Sequence, residues 1–373
     1  MFLVILVFMS VFPKTKLDFN ETVKPRRLRS GLLFLFPVTL RRKIVFFNMN
    51  MPNFPVSGIV VLKKPQGESS RTTLNRLLRA VRSLHNRQLG ASQKTPRVGH
   101  AGTLDPLAEG VLVACVGEAT KLIEAIQMLP KHYTGAFQLG VVSDTEDIEG
   151  EICELGNPYR PTLDELQRAA TRLTGRILQR PPMFSALKVS GKRAYRLARQ
   201  GEHVELAARE IEIYRLEVAG YDAPFLRLDI ECGSGTYIRS VGRDLAESLG
   251  TGAVMTALIR DRIGPFRLEN AAPPQLFDNP ESQDWLSFLL PVEQGVAHLP
   301  FVELDHEQAA RFRHGLPVHQ DELRIFSNGS QDSLPSLLAA FDTGHHAGRR
   351  LVSLIEPSDD GWFRVKRNFS APE

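Results

Sequence analysis

The stretch GHAGTLDPLAEG, residues 99–110, surrounds Asp105 with glycines and places Pro106 directly after it. An aspartate before a proline is a common turn former, because its side chain bonds the neighbouring backbone. The same carboxylate is ionised at neutral pH and could attack a carbon atom as a nucleophile. Glycines on both sides would let a large ligand approach closely. These residues alone favour the turn, and a nucleophile would need a basic partner such as Arg239.

The charge of the chain is unevenly distributed. The formal net charge of +4 includes nine basic and two acidic residues in the first fifty, a net of +7, which leaves −3 for the remaining 323 residues. No acid occurs between Ser69 and Leu104, and none between Leu166 and Gly201. The basic residues of these two stretches are Arg71, Arg76, Arg79, Arg82, Arg87, Lys94 and Arg97, and Arg168, Arg172, Arg176, Arg180, Lys188, Lys192, Arg193, Arg196 and Arg199. Such stretches are typical of a surface that binds phosphates, although a solvated helix face has the same composition.

Several kinds of site are disfavoured because their motifs are missing. The ten histidines form no HExxH pair and none has a nearby cysteine, so no metal site is predicted. The acidic stretch SDTEDIEGE, residues 143–151, lacks the spacing of a calcium-binding loop and is interpreted as a turn. A phosphate-binding P-loop and a GxSxG nucleophile elbow are also missing from the sequence.

Composition and length indicate a globular protein of two domains. Of the 373 residues, 43% are hydrophobic and 24% are charged, which allows a sizeable core. The three cysteines, Cys115, Cys153 and Cys232, are odd in number and far apart, so a disulfide framework is not expected. Free cysteines favour a reducing compartment, and hence the cytoplasm.

The first fifty residues differ from the rest of the chain. The apolar run MFLVILVFMSVF, residues 1–12, is shorter than the roughly 20 residues that cross a membrane, and no cleavage-site pattern follows it. We expect translation to start at Met49 or Met51, so that residues 1–55 form an extension that is disordered or not translated. A catalytic domain is predicted over residues 56–272, a Pro- and Asn-rich linker over 270–284, and a small β-rich domain over 290–373.

Two segments predict the elements that must position these residues. VSGIVVLKKPQGESS, residues 56–70, indicates a strand and a turn, after which Ser69 or Ser70 caps a helix whose apolar residues recur at helical spacing. FLRLDIEC, residues 225–232, alternates as a half-buried strand does, and a glycine turn leads into a helix that ends at Gly250. The glycine spacing is not GxGxxG, so an enzyme with a dinucleotide cofactor is a weak alternative.

Six blocks follow one another along residues 57–268: LKKPQGESS, VGHAGTLDPLAEGVLVACVGEATKL, KHYTGAFQLGVVSDTEDIEG, RPPMFSALKVSGKRAYRLARQG, GSGTYIRSVGRDLAESLG and AVMTALIRDRIGPF. In this order they resemble the TruB family of tRNA pseudouridine synthases. The later stretch HLPFVELDHEQAARFRHG resembles that family's C-terminal region. The resemblance implies an α+β fold, with a mixed α/β catalytic domain on a mainly antiparallel sheet and a small β-rich, PUA-like RNA-binding domain after it.

The resemblance also implies a reaction and a partner. Members of the family convert a uridine in the T loop of tRNA, uridine 55, to pseudouridine; the base is cut from its sugar, turned and rejoined through carbon. The family uses no cofactor and no metal, and we expect a cytoplasmic monomer that binds tRNA and no membrane. The alternative from another class is a non-catalytic RNA-binding or tRNA-remodelling protein.

The family's motifs assign roles to residues of this sequence. Asp105 of GTLDP is the implied nucleophile, and Arg239 of GTYIR is implied to pair with it. Tyr133 of KHY is implied to lie against the target base, which needs a new stacking surface once it leaves its own stack. The other implied substrate-binding residues are His100 of GHAG, Tyr237 of GTYIR, Leu258 of TALIR and Lys64 of LKKPQG, the lysine being mainly structural.

The sequence departs from the family pattern at three positions. Phe184 stands where the family usually has tyrosine, so that a hydroxyl contact is lost. Ile259 and Asp261 stand in a final motif that more often reads Arg-Arg-Thr. None of these positions belongs to the motif of Asp105, so we expect the changes to affect fine substrate contacts more than activity.

Overall fold

The computed structural model describes residues 56–184, 188–189, 192–193, 206–326, 335–344 and 348–369. The predicted N-terminal extension lies outside these residues, as do Arg196 and Arg199 of the second basic stretch. Within the described ranges, no helix is both long enough and apolar enough to cross a membrane.

The elements are named in chain order. The described strands are β1 (Gly58–Lys64), β2 (Val98–His100), β3 (Glu109–Val116), β4 (Lys131–Leu139), β5 (Val141–Ser143), β6 (Ile152–Glu154), β7 (Gly175–Gln179), β8 (Lys188–Val189), β9 (Lys192–Arg193), β10 (Arg209–Asp222), β11 (Phe225–Cys232), β12 (Ala253–Ile263), β13 (Phe266–Arg267), β14 (Leu289–Leu290), β15 (Phe301–Leu304), β16 (Val318–His319), β17 (Ile325–Phe326), β18 (Leu338–Asp342), β19 (Arg350–Pro357) and β20 (Trp362–Asn368). The described α-helices are α1 (Ser70–Leu89), α2 (Ile123–Met128), α3 (Leu163–Arg172), α4 (Ile238–Glu247) and α5 (His306–Arg313).

Ten strands form one large sheet in the order β14-β1-β3-β12-β4-β11-β10-β7, with β13 beside β12 and β2 beside β3. Its pairs are antiparallel except for β12 and β3, which run parallel. The mainly antiparallel sheet confirms the expected fold class. In the parallel pair Arg260 lies opposite Gly110, which brings the end of β12 beside the segment that follows Asp105.

The helix α1 forms where the spacing of apolar residues predicts it. Ser69 caps it, because its hydroxyl accepts a hydrogen bond from the backbone N–H of Thr72 at 3.1 Å. Its apolar face is buried against β1, β3 and Trp285. Each fully buried leucine on that face contributes about 1.5–3 kcal/mol to stability. The first residue of this helix is therefore held at a defined place beside the end of β1.

The strand β11 and the helix α4 also follow the predicted pattern. Leu226, Leu228 and Ile230 are buried, and the intervening side chains face outward. The helix ends at Glu247, two residues before Leu249, and Gly250 follows with a φ of 74°. Both β11 and β12 run antiparallel to β4, which lies between them. This unit is therefore not part of a parallel doubly wound sheet, and the dinucleotide interpretation loses its structural basis.

A second sheet of six strands, in the order β16-β20-β19-β18-β15-β17, occupies the C-terminal part of the chain. One apolar cluster joins Phe341, Leu351 and Leu354 of this sheet to Ile59 and other residues of the large sheet. The segment predicted as a linker packs against α1 through Phe277 and, just beyond it, Trp285. The segment thus forms part of the core, and the domain boundaries stay predictions.

Candidate active site

Asp105 lies on the loop of residues 101–108 between β2 and β3, which we call the Asp105 loop. Its carboxylate is 40% exposed, and its Oδ2 lies 3.0 Å from Nε of Arg239. Arg239 is on the first turn of α4 and only 6% exposed. The structure therefore brings together two groups that are far apart in the chain, in an ion pair that leaves one side of the carboxylate open to solvent.

The start of α1 holds the Asp105 loop from one side. The hydroxyl of Ser70 donates to the carbonyl of Leu104 and accepts from its backbone N–H, both at 2.8 Å. Ser70 is buried, so both bonds form away from water. The residue immediately before Asp105 is thus fixed on both of its backbone polar groups.

The end of β1 holds the same loop through Lys64, which is completely buried. Its Nζ donates to the carbonyl of Pro106 at 3.2 Å and to that of Ala108, and Gly67 donates its N–H to Pro106 at 2.8 Å. Burial lowers the pKa of Lys64 to about 8, while the charges of Glu68 and Asp105 act in the opposite direction. The contacts agree with a mainly structural lysine.

The end of β12 holds the loop through Arg260, which is 1% exposed. Its Nη2 donates to Gly102 O at 3.0 Å, its Nη1 reaches Thr103 O at 3.4 Å, and its Nε donates to Val111 O at 2.8 Å. Among the described residues, no carboxylate lies within ion-pairing distance of this guanidinium. Sequence reasoning missed Arg260, although it stands in the TALIR motif, because nothing in its spacing indicates which carbonyls it reaches.

Two glycines around Asp105 are required by the backbone of the protein itself. A Cβ at Gly110 would lie 2.3 Å from the backbone oxygen of Arg260, so the close approach is that of β12. Gly102 has a φ of 102°, which favours glycine. From the sequence, we expect these glycines to admit a large ligand. The structure shows that Gly110 allows the parallel pairing and Gly102 allows the bend of the loop, and the approach of a ligand stays a prediction.

A second loop, residues 144–151 between β5 and β6, positions Arg239. Nη1 of Arg239 donates to Thr145 O at 2.6 Å and lies 3.5 Å from Oδ2 of Asp147, which is buried. Nη2 donates to the carbonyl of Phe184 at 3.1 Å. Arg239 therefore bridges two carboxylates, one exposed and one buried. The acidic stretch was predicted to be a turn, and its contact with Arg239 was not predicted.

Glu146 braces the same loop against α4. Its φ is 62°, and its carboxylate accepts from Ser240 Oγ at 2.6 Å and forms an ion pair with Arg243. Burial raises the pKa of Glu146, and the charge of Arg243 lowers it. The loop is thus fixed to the helix that carries Arg239 by contacts on two successive turns.

Tyr133 lies on β4 between the strands of Ile230 and Arg260, which are its register partners. Its ring is buried. Burial raises the pKa of its phenol, so it keeps its proton at neutral pH, and the charge of Arg260 acts in the opposite direction. The structure thus connects the tyrosine to the same arginine that holds the Asp105 loop.

Tyr237 is the residue before α4 and is held by its backbone. Gln179, which is fully buried, accepts from the N–H of Tyr237 at 2.9 Å and donates to its carbonyl at 3.2 Å. The guanidinium of Arg209 lies 4.9 Å from the centre of the tyrosine ring. The ring therefore has a fixed position two residues before Arg239.

The remaining predicted residues lie near the Asp105 loop in different ways. His100 ends β2, and its Nδ1 is buried with no hydrogen-bond partner among the described residues. Burial lowers the pKa of His100, so the ring is neutral at pH 7. Leu258 lies opposite Gly135 and shares an apolar cluster with Leu104. Both residues thus line the surroundings of the loop without a described contact to the carboxylate.

The departures from the family pattern fall into two places. Phe184 meets Arg239 through its carbonyl, which any residue provides, so the missing hydroxyl does not alter that contact. Asp261 accepts from Thr134 Oγ1 at 2.9 Å and lies 3.3 Å from Nδ1 of His132. It is therefore engaged by neighbours on the sheet and has no described contact with Asp105.

No group of three or more His, Cys, Asp or Glu side chains in the described part of the chain is arranged to hold a metal ion. The three cysteines are free thiols. Burial raises the pKa of Cys115 to about 12 and that of Cys232 to about 11, so neither is a thiolate at neutral pH. The carboxylate of Asp105 is accessible beside Arg239, so it could attack a carbon atom as a nucleophile.

Comparison with known proteins gives one consistent family. Residues 88–238 match the family described as TruB family pseudouridylate synthase, N-terminal domain. A tRNA pseudouridine synthase B of Dehalococcoides mccartyi is 37% identical over 318 residues, covering 85% of this chain and 98% of that protein. A tRNA pseudouridine synthase B of Xanthomonas axonopodis pv. citri is 43% identical over 268 residues, covering 70% of this chain and 82% of that protein.

Solved structures share the fold. A chain in the structure of an H/ACA RNP bound to a substrate RNA containing 2′-deoxyuridine aligns with a TM-score of 0.60 at 21% identity, over 84% of this chain and 85% of that one. A chain of a Cbf5-Nop10-Gar1 complex also gives a TM-score of 0.60, at 23% identity, over 80% of this chain and 78% of that one. At these identities the likeness concerns the fold alone.

Proposed function

Because the chain belongs to the TruB family of pseudouridylate synthases, we propose that it converts uridine 55 in the T loop of tRNA to pseudouridine, with Asp105 as the nucleophile. The chain is a pseudouridine synthase, and its family membership supports tRNA as the substrate. In this isomerisation the bond from C1′ to N1 breaks and a bond from C1′ to C5 forms. C5 loses a proton and N1 gains one, so substrate and product have the same atoms and no co-substrate is consumed.

One observation carries the proposal for Asp105: its carboxylate is 40% exposed and lies 3.0 Å from Nε of the buried Arg239. The guanidinium donates toward this carboxylate and fixes its direction. The open side of the carboxylate can meet a carbon atom of the substrate. Because Asp147 also lies near Arg239, the arginine is held from behind while it faces Asp105.

The neighbouring residues suit a base that has left its stack. The proposal gives Tyr133 the role of a surface for the flipped uracil, and base–aromatic stacking contributes about 1–3 kcal/mol. We also propose that the pocket is lined by His100, Tyr237 and Leu258. Lys64 holds the Asp105 loop in place through its hydrogen bonds to the loop's carbonyls. Since His100 is neutral at pH 7, it can donate or accept a hydrogen bond to the RNA.

The test is to incubate the protein with a T-arm hairpin and map pseudouridine by nucleotide position. Wild type is expected to modify the nucleotide that corresponds to uridine 55, and Asp105→Asn is expected to bind the RNA without forming product. Asp164→Asn, an exposed acid on α3, removes the same charge elsewhere and should keep full activity.

Other outcomes would overturn separate parts of the proposal. Product at a different uridine would overturn the choice of position 55. RNA binding without product in wild type would favour a non-catalytic RNA-binding or tRNA-remodelling protein. Full activity of Asp105→Asn would remove the nucleophile. The monomeric state and the cytoplasmic location belong to the same proposal, and native mass spectrometry and cell fractionation test them.

A further inference from the structure

One side of α1 carries a straight row of exposed polar side chains. The members of this row, which we call the α1 ridge, are Arg71, Asn75, Arg79, Arg82 and Asn86. Their spacings of four, four, three and four residues keep them within an arc of about 80° on a helix of 3.6 residues per turn. The buried residues of the helix occupy the opposite side. The ridge is therefore a continuous surface feature of the helix.

The other arginines of α1 are on a different flank and have partners. Arg76 forms ion pairs with Glu68 and Asp278, and Arg87 donates to Glu281 O at 2.8 Å. In contrast, no carboxylate among the described residues forms an ion pair with Arg71, Arg79 or Arg82. Since α1 itself contains no acid, the charge of the ridge is not neutralised within this helix.

The ridge begins at the candidate active site. Ser70, which precedes Arg71, is the residue that holds Leu104 beside Asp105. The charge of Arg71 acts on His100, since it is among the causes that lower the pKa of that ring. From Arg71 to Asn86 the helix rises 15 residues, about 22 Å. One end of the ridge thus meets the site, and the other end lies well away from it.

We propose that the α1 ridge binds the phosphate backbone of the RNA stem that leads away from the target nucleotide. This inference rests on the proposed function, because it places the target uridine at Asp105. A row of this length can face several successive phosphates of one strand. Arginine and asparagine both donate to phosphate oxygens without reading the base sequence. The α1 ridge would therefore recognise that a stem is present and how it is oriented, but not its base sequence.

The test compares two RNA hairpins that share one T loop, one with a stem of about seven base pairs and one with a stem of two. For Arg79→Gln/Arg82→Gln we expect KM for the long hairpin to rise about fivefold or more, with kcat unchanged. The slope of log Kd against log salt concentration should fall by about 1.4 to 1.8, since two phosphate contacts are lost. On the short hairpin the variant should match wild type. The control is Arg227→Gln, which removes an exposed arginine from β11 of the large sheet instead of from α1.

Three results would overturn the ridge. The first is an unchanged KM and salt slope for the double variant on the long hairpin. The second is an equal loss on both hairpins, which would assign these arginines to the loop. The third is an equal loss per charge removed in Arg227→Gln, which would make the effect one of overall charge. If wild type forms no product on either RNA, the proposed function fails. The slopes of log Kd against log salt concentration for wild type and the double variant still test whether the α1 ridge binds phosphates.

Discussion

Replacing Arg260 by lysine keeps the charge of this side chain but removes most of its hydrogen bonds to the Asp105 loop. Arg260 reaches Gly102 O, Thr103 O and Val111 O with three different nitrogens, two of them at 2.8 and 3.0 Å. A lysine has one nitrogen on a flexible stem and cannot span both the loop and β3. We therefore expect Arg260→Lys to keep one of the two short hydrogen bonds and to lose both the second short bond and the longer bond to Thr103 O.

The size of the effect follows from these contacts. A hydrogen bond from a charged donor contributes about 1.5–3 kcal/mol, and a buried carbonyl left without a donor costs a further penalty. One short and one long bond together lead us to expect a fall of about 3 kcal/mol in the free energy of unfolding. Since a displacement of about 1 Å at a reacting group can cost about 100-fold in rate, kcat should fall by about that factor. The affinity for RNA should change little, because Arg260 is buried.

Chemical denaturation and single-turnover formation of pseudouridine measure the two effects. The matched control is Arg262→Lys, two residues along β12, where the arginine is partly exposed and forms an ion pair with Glu231. This control should lose less than about 1 kcal/mol and keep its activity. Wild-type kcat in Arg260→Lys despite the fall in stability would show that the bonds stabilise the fold without aiming Asp105. Unchanged stability would contradict the hydrogen-bond argument itself.

Two other predictions concern groups in the same network. Burial lowers the pKa of Lys64 from 10.5 to about 8, so between these pH values the folded protein binds fewer protons than the unfolded chain. The free energy of unfolding of wild type, measured relative to Lys64→Met, should therefore rise by about 3 kcal/mol from pH 8 to pH 10.5. A difference between the two proteins that does not change with pH in denaturation experiments would contradict this prediction. Asp147→Asn keeps the shape of a buried side chain 3.5 Å from Arg239 but removes its charge. Single-turnover product formation should therefore slow by about tenfold, while the affinity for RNA stays unchanged. The control is Asp144→Asn, at an exposed position in the same loop, and an equal loss of rate in both variants would refute the specific role of Asp147.

The elements that could be predicted from the sequence are those determined by neighbouring residues. The cap at Ser69, the apolar stripe of α1 and the alternation in β11 involve residues one to four positions apart, and the structure confirms them. The end of α4 near Gly250 also follows from local conformation. In each case the physical cause acts within one or two turns of chain, which is the range over which periodicity and caps carry information.

The support of the Asp105 loop could not be predicted in this way. Ser70 is 34 residues from Leu104, Lys64 is 44 from Ala108, and Arg260 is 158 from Gly102. A hydrogen bond from a side chain to a distant carbonyl leaves no pattern in the sequence, because every residue has a carbonyl. Arg239 was a candidate partner of Asp105 because it follows a glycine turn, and the family resemblance then implied the pair. Its second carboxylate, Asp147, was missed because an acidic turn has the same composition whether or not it contacts a cation.

The choice of partners around Asp105 has an electrostatic consequence. Lys64 and Arg260 are buried and bond to backbone carbonyls, whereas buried cations are usually paired with carboxylates, since an unpaired one costs several kcal/mol. A carboxylate partner for each would cancel their charge, but carbonyl dipoles stabilise the ammonium and guanidinium groups without adding a negative charge. The loop therefore keeps two uncancelled cations behind Asp105 in addition to Arg239. That field attracts the phosphates of an incoming RNA, so the contacts that hold the loop in place also prepare it for an anionic substrate.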